Sequence, residues 1–341
     1  MNINMRYFVA TIFAIIGLTL PLEIEAQNKE LMRGYEKDLN SLFEQVFSTE
    51  NKENERYNAN EEVMVIMEEA LLQRDSYKWK WKLRKGVSVL TSDDDKFRVI
   101  TWAVVNDNNE FECFGYMQVL NENADVYEVC RLQDKTADIF NPGEVALTDQ
   151  NWFGCIYTDL ITTKYDGRYY YTLLGWNGGN MTTQHRVIEP VYFKRNSTKP
   201  SFGQMMFRQG KDSNRNLRRI ILKYAKDINI NLSYEEQYVV TMERIKVKEE
   251  GRMVHKEIDR EKKEMMIVFD QVGPRVPGME GMYHYYVPTG VESGFMFDRG
   301  RWVLKPNVHC KLKENEKLDA IEDNNLPSVY KKNEPTYKQK Q

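Results

Sequence analysis

Four histidines, His185, His255, His284 and His309, are the residues of this chain best suited to proton transfer or metal binding. None belongs to an H-E-x-x-H pair, which sets two imidazoles on one helical turn around zinc; His255-Lys256-Glu257 is only superficially similar. The segment Gly290 to Gly294 (GVESG) has the wrong order for a nucleophile elbow, and no Walker loop or dinucleotide fingerprint occurs. Nothing in the spacing pairs Cys155 with His185 as thiol and imidazole. Asp93-Asp94-Asp95 invites a calcium reading. That cation wants about six to eight oxygens from alternating positions, and three adjacent Asp followed by Lys96 read instead as a solvated turn before a strand. No catalytic set, metal site or cofactor is expected.

Two stretches hold what chemistry remains. Tyr165 to Phe193 carries Trp176, the turn Asn177-Gly178-Gly179-Asn180 and the triplet Tyr169-Tyr170-Tyr171. Strand alternation puts Tyr169 and Tyr171 on one face and Tyr170 on the other, so one set is core. Gly273 to Gly290 (GPRVPGMEGMYHYYVPTG) is a long Gly/Pro-rich loop with Arg275, Tyr283, His284 and Tyr285, and long loops on a rigid scaffold often carry binding. Asp270, Glu292 and Asp298 are close to it in sequence. A glycoside hydrolase would need two such carboxyls about 5–9 Å apart. The binding candidates are therefore Trp176, Asn177, Asn180, Arg275, Tyr283, His284, Tyr285 and Glu292. A structural turn with packed aromatics is the competing reading of the first stretch, and a structural loop of the second.

The elements that position these residues are mostly strands. Residues 27–47 space Leu31, Tyr35, Leu39, Leu42, Phe43 and Val46 at helical intervals, and Glu61 to Gln73 repeats that pattern behind an Asn60 cap. Ser48 to Asn60 reads as a loop between them. From Gly86 the apolar period becomes two. Strands over Phe97–Val104, Phe111–Leu120, Asp125–Leu132, Trp152–Thr163, Arg168–Trp176 and His185–Phe193 alternate with turns, of which Asp166-Gly167 is a type I′ signal. Tyr238–Lys248 and Arg252–Arg260 form a charged hairpin or, because Glu and Lys dominate, helices. Met265–Phe269, Glu292–Phe297 and Arg301–Leu304 complete the set. The fold class is mainly β: an antiparallel meander forming a large sandwich or barrel-like body, with an N-terminal α-helical hairpin and a propeller-like stack as alternative. The domains are a signal peptide over 1–26, a helical segment over 27–85, an antiparallel β domain over 86–310 and a charged tail over 311–341.

Tyr7 to Leu22 is an uncharged apolar run behind Arg6, followed by Ala26 as a cleavage position. At 16 residues it is short for a membrane span of about 20. The expected location is exported, periplasmic or outer-membrane-associated, with no transmembrane span in the mature chain. Loss of one Arg and two Glu with the leader takes the net charge from −3 to about −2, which gives no long-range attraction for nucleic acid. Four cysteines in an exported chain invite a disulfide. A hairpin centred on Asn121-Glu122 would set Cys113 opposite Cys130, and free buried thiols are the alternative.

Two groups of segments have a familiar look together. They are Tyr169–Asn180 (YYYTLLGWNGGN) with Arg186–Phe193 (RVIEPVYF), and Glu264–Pro274 (EMMIVFDQVGP) with Tyr283–Pro288 (YHYYVP) and Gly294–Leu304 (GFMFDRGRWVL). In this combination the chain resembles exported, functionally uncharacterised proteins of the Bacteroidota over roughly Val89 to Leu304. The resemblance implies an exported bacterial location and an all-β body, and no activity. The expected function is a non-enzymatic envelope protein that binds a glycan or a protein partner through loops on a β scaffold. Two alternatives stand beside it: a hydrolase using carboxylates near residues 273–290, and a structural module docking through its N-terminal helices.

Overall fold

The computed structural model describes residues 27–208, 217–249 and 252–306. The leader and tail expected over 1–26 and 311–341, with His309 and Cys310, lie outside them. The chain opens with two helices, α1 (residues 27–46) and α2 (Glu53–Leu71). The second starts eight residues before the expected Glu61. The Glu55 carboxylate reaches back to accept the Lys52 backbone N–H at 2.9 Å, and Glu53 and Glu55 place negative charge on the positive end of the helix. Asn60 is therefore not a cap. It is buried inside α2 and accepts the Trp102 indole N–H at 2.7 Å.

Three sheets follow. The first is a four-stranded meander, β1 (Ser88–Thr91), β2 (Phe97–Val105), β3 (Phe111–Asn121) and β4 (Val126–Gln133). The second runs β5 (Leu147–Thr148), β9 (Pro200–Phe202), β8 (Thr183–Phe193), β7 (Arg168–Asn177) and β6 (Ile156–Tyr165). β10 (Phe207–Arg208) crosses to the third sheet, and β11 (Ile220–Ala225) comes back to pair with the first half of β8. The third sheet is β10, β15 (Arg301–Pro306), β14 (Tyr286–Asp298), β13 (Arg252–Pro274) and β12 (Leu232–Glu249). Every strand pair is antiparallel except β10 with β15. The Asp166-Gly167 turn has both residues at positive φ, 49° and 72°, as a type I′ hairpin requires.

Alternation along the strands builds the layers. On β2, Ile100, Trp102 and Val104 face the helices, packing with Leu39, Phe43, Val63 and Met67. Phe97, Val99 and Ala103 face the second sheet, joining Leu173, Val187 and Val191. Leu174 and Ile188, on the other side of the second sheet, meet Ile267, Phe295 and Trp302 of the third. The order is helices, then three stacked sheets. No closed barrel forms among the described residues, and the sheets stack rather than radiate as propeller blades would. The buried apolar faces of both helices pack against β2 and β3.

Of the two readings of the Glu- and Lys-rich segment, the hairpin holds: residues 238–249 and 252–260 form strands, paired from Leu232 with Phe269 out to Glu249 with Arg252. One further expectation changes. The β3–β4 register places Cys130 opposite Met117, four residues along β3 from Cys113, which itself faces Ala103. At about 3.3 Å per residue that separation exceeds the roughly 7 Å a disulfide spans. Cys113, Cys130 and Cys155 are all free and buried.

Candidate functional site

β7 and β8 run antiparallel through the middle layer, so their shared turn and their outer ends lie at opposite ends of the body. At the turn end a cleft of about 970 Å³ opens. Its walls come from the β2–β3 turn, the segment after β4, the Gly178–Thr183 turn, β11 and the 3₁₀ turn at Tyr283. Both stretches singled out by the sequence thus reach one place.

His185 lies on its floor, beside Asn177 on β7 and Lys223 on β11. Its ring meets Phe153 edge-on at 6.1 Å. The Nδ1 atom is buried and has no hydrogen-bond partner. Burial, reinforced by the positive Lys223 and Lys226, pushes its pKa down from 6.5 to about 3, so the imidazole is neutral at physiological pH. Lys226 lies behind the turn, with its ammonium 4.2 Å from the Phe111 ring centre and donating to the Gly178 carbonyl. Burial lowers its pKa to about 8. Beneath the cleft, Glu189 and Arg219 form a fully buried ion pair. Glu189 also accepts the Tyr157 hydroxyl at 2.5 Å, and Arg219 donates to the Pro142 carbonyl. This pair ties β8 to the segment before β11 and to the wall loop at residues 141–145.

The rim is mixed. Asp138 and Glu144 stand on one wall and make no ion pair among the described residues. Tyr283 stands on the other, 41% exposed, with the Lys223 ammonium 5.2 Å from its ring centre.

The sequence candidates separate under this geometry. Asn177 and Asn180 line the cleft, but their amides serve the turn. Asn177 donates to the Gly154 carbonyl at 2.5 Å and accepts the Gly179 N–H at 2.7 Å. Asn180 Oδ1 accepts the backbone N–H of Thr182 and Thr183 at 2.9 and 3.0 Å. A side chain at Gly179, which has φ +62°, would strike the Thr183 carbonyl at 2.1 Å, so the turn needs glycine there. Trp176 is buried, its indole donating to Gln184 at 2.8 Å, and is scaffold rather than platform. Tyr283 is the one member of the second stretch that lines this cleft. The His284 and Tyr285 rings lie 4.2 Å apart, tilted by 46°, on the exposed surface, and Arg275 is also exposed. Glu292 pairs across the ladder with Asp270, away from the cleft. That register sets Asp270 and Glu292 side by side, whereas Asp298 sits six residues further along β14, about 20 Å away at strand rise. Asp94 of the acidic triplet accepts the Tyr171 hydroxyl at 2.6 Å, and no cluster of three metal-ligating side chains occurs among the described residues.

His185 is a candidate in the sequence, but its partnership with Lys223 is not visible there, because it depends on β11 returning to β8 across 38 positions of chain. No family model matches the chain, and neither the curated proteins nor the solved structures contain a match to it.

Proposed function

We propose that the protein is an exported, non-enzymatic binding module that holds a neutral glycan in the His185 cleft. The observation that carries this reading is the uncharged, half-buried imidazole on the cleft floor. A neutral imidazole offers one donor and one acceptor, which matches a sugar hydroxyl, itself both. Asp138 and Glu144 add carboxylate acceptors, and Tyr283 adds a flat apolar face at the rim. A base with a pKa of about 3 is poorly matched to proton abstraction near neutrality, which favours holding a ligand over hydrolysing it. The apolar leader run and the resemblance to exported Bacteroidota proteins support an envelope location. No helix among the described residues is long and apolar enough to cross a membrane.

The test is calorimetric titration of the chain with a panel of neutral oligosaccharides built from glucose, mannose and N-acetylhexosamines, followed by Tyr283→Ala and His185→Ala. Binding that weakens at least tenfold in both variants supports the reading. No binding across the panel, or release of reducing ends during incubation, overturns it.

A further inference from the structure

The opposite end of β7 and β8 forms a second cleft, of about 1000 Å³, and its chemistry is different. It is walled by the β3–β4 turn, the start of β7 and the segment that follows β8. Three exposed cations, Arg168, Lys194 and Arg195, line it without a carboxylate partner among the described residues. Its two carboxylates are already engaged. Asp94 accepts the Tyr171 hydroxyl at 2.6 Å, and Glu122 is held by Lys96 at 2.7 Å. The cleft is therefore positive in a chain whose net charge is −3. Tyr169, 44% exposed, and the half-buried Tyr192 present aromatic rings beside those cations.

We propose that this cleft is a second binding site, separate from the His185 cleft, and that it takes an acidic polysaccharide. Guanidinium groups grip carboxylate or sulfate in a two-pronged geometry, and the rings of Tyr169 and Tyr192 provide surfaces for the C–H faces of sugar rings. An extended acidic peptide fits less well. Near the cleft β7 is paired on one side with β6 and β8 on one side with β9, and the β7–β8 ladder begins only at Tyr171 and Val191. The unpaired edge there is no longer than Arg168–Tyr170 and Tyr192–Phe193, too short a ladder to receive a peptide strand. A nucleic acid asks for a longer row of phosphate contacts than three cations supply.

The probes are polygalacturonate for carboxylate, dextran sulfate for sulfate, unmodified dextran as the neutral control and single-stranded oligo(dT) as the phosphate control. Binding to the full chain is measured by titration at two salt concentrations. The expected result is binding of one or both acidic polysaccharides and none of dextran. That affinity falls at least tenfold in Arg168→Gln/Arg195→Gln and at least fivefold in Tyr169→Ala, while Tyr283→Ala leaves it unchanged. The Tyr283 arm separates this site from the His185 cleft, so either reading can fail alone. Thermal melting of the exposed-surface variants confirms that they fold. Absence of binding to both acidic polysaccharides, equal binding of oligo(dT), or an affinity indifferent to the arginine and tyrosine substitutions overturns the proposal. A preference between polygalacturonate and dextran sulfate identifies which anion the cations hold.

Discussion

The two ends of the β7–β8 pair share strands, layer and flanking sheets, yet they present opposite chemistry. At the turn end, His185 is neutral, Asp138 and Glu144 stand on the rim without an ion pair among the described residues, and the charges below are neutralised as Glu189 with Arg219. At the other end, the carboxylates are engaged and the cations Arg168, Lys194 and Arg195 are exposed. The difference comes from what crosses each end. At the turn end β11 covers β8 and desolvates His185, whereas at the other end β9 pairs with only the last three residues of β8 before the chain turns away. Burial depth, more than residue type, sets which groups carry charge to a ligand.

The largest expected effect breaks the turn end alone. Removing one member of a buried ion pair leaves the other charge without compensation. Arg219→Met is therefore expected to lower unfolding free energy by about 3–5 kcal/mol, and Glu189→Gln/Arg219→Met to lose less than Arg219→Met alone. Urea titration measures both. A single variant as stable as the wild type would mean that the pair does not hold the 141–145 wall in place.

Next in size is a pH effect. His185 has a folded pKa of about 3 against an ordinary 6.5, so between those values the unfolded chain binds a proton that the folded chain refuses. Stability is expected to fall as pH drops below about 6.5. The His185 share between pH 7 and pH 5 is about 1–2 kcal/mol. His185→Gln removes this share, so the wild type should lose that much more than the variant over the same interval. Identical losses in the two proteins would place His185 in contact with water. Asn180→Ala follows at about 1 kcal/mol, because the Thr182 and Thr183 N–H groups lose their acceptor. Tyr283→Ala is the smallest on stability, within about 0.5 kcal/mol for an exposed side chain, and so isolates ligand contact from folding.

Much of the architecture was legible in the chain. Period-two alternation with Asn/Asp/Gly turns marked β2 to β4 and β6 to β8, because consecutive strands within each run are neighbours and the hairpin signals are local. What failed was local chemistry overridden by tertiary packing. The polar run at residues 48–60 looked like a loop, since most of its residues face water, and its helical continuation shows only in Asn60 meeting Trp102. The Cys113–Cys130 expectation failed by register, because the β3–β4 turn spans residues 122–125 and shifts the pairing by two residues on each strand. The sites were half legible. Tyr283 and the Asn177–Asn180 turn were found from composition, although the turn proved structural. His185 with Lys223 and the cationic group at Arg168 and Arg195 needed the topology, because each cleft gathers side chains from strands distant in sequence.

The most direct test is hydrogen exchange of the intact chain, read by mass spectrometry with a neutral oligosaccharide that passes the panel, with an acidic polysaccharide, and with both. The account predicts protection of peptides covering residues 178–185 and 217–224 by the neutral ligand. It predicts protection of peptides covering 168–171 and 192–198 by the acidic one, and both patterns together when both are present. Protection of the same peptides by the two ligands, or loss of one pattern on adding the other, would contradict it.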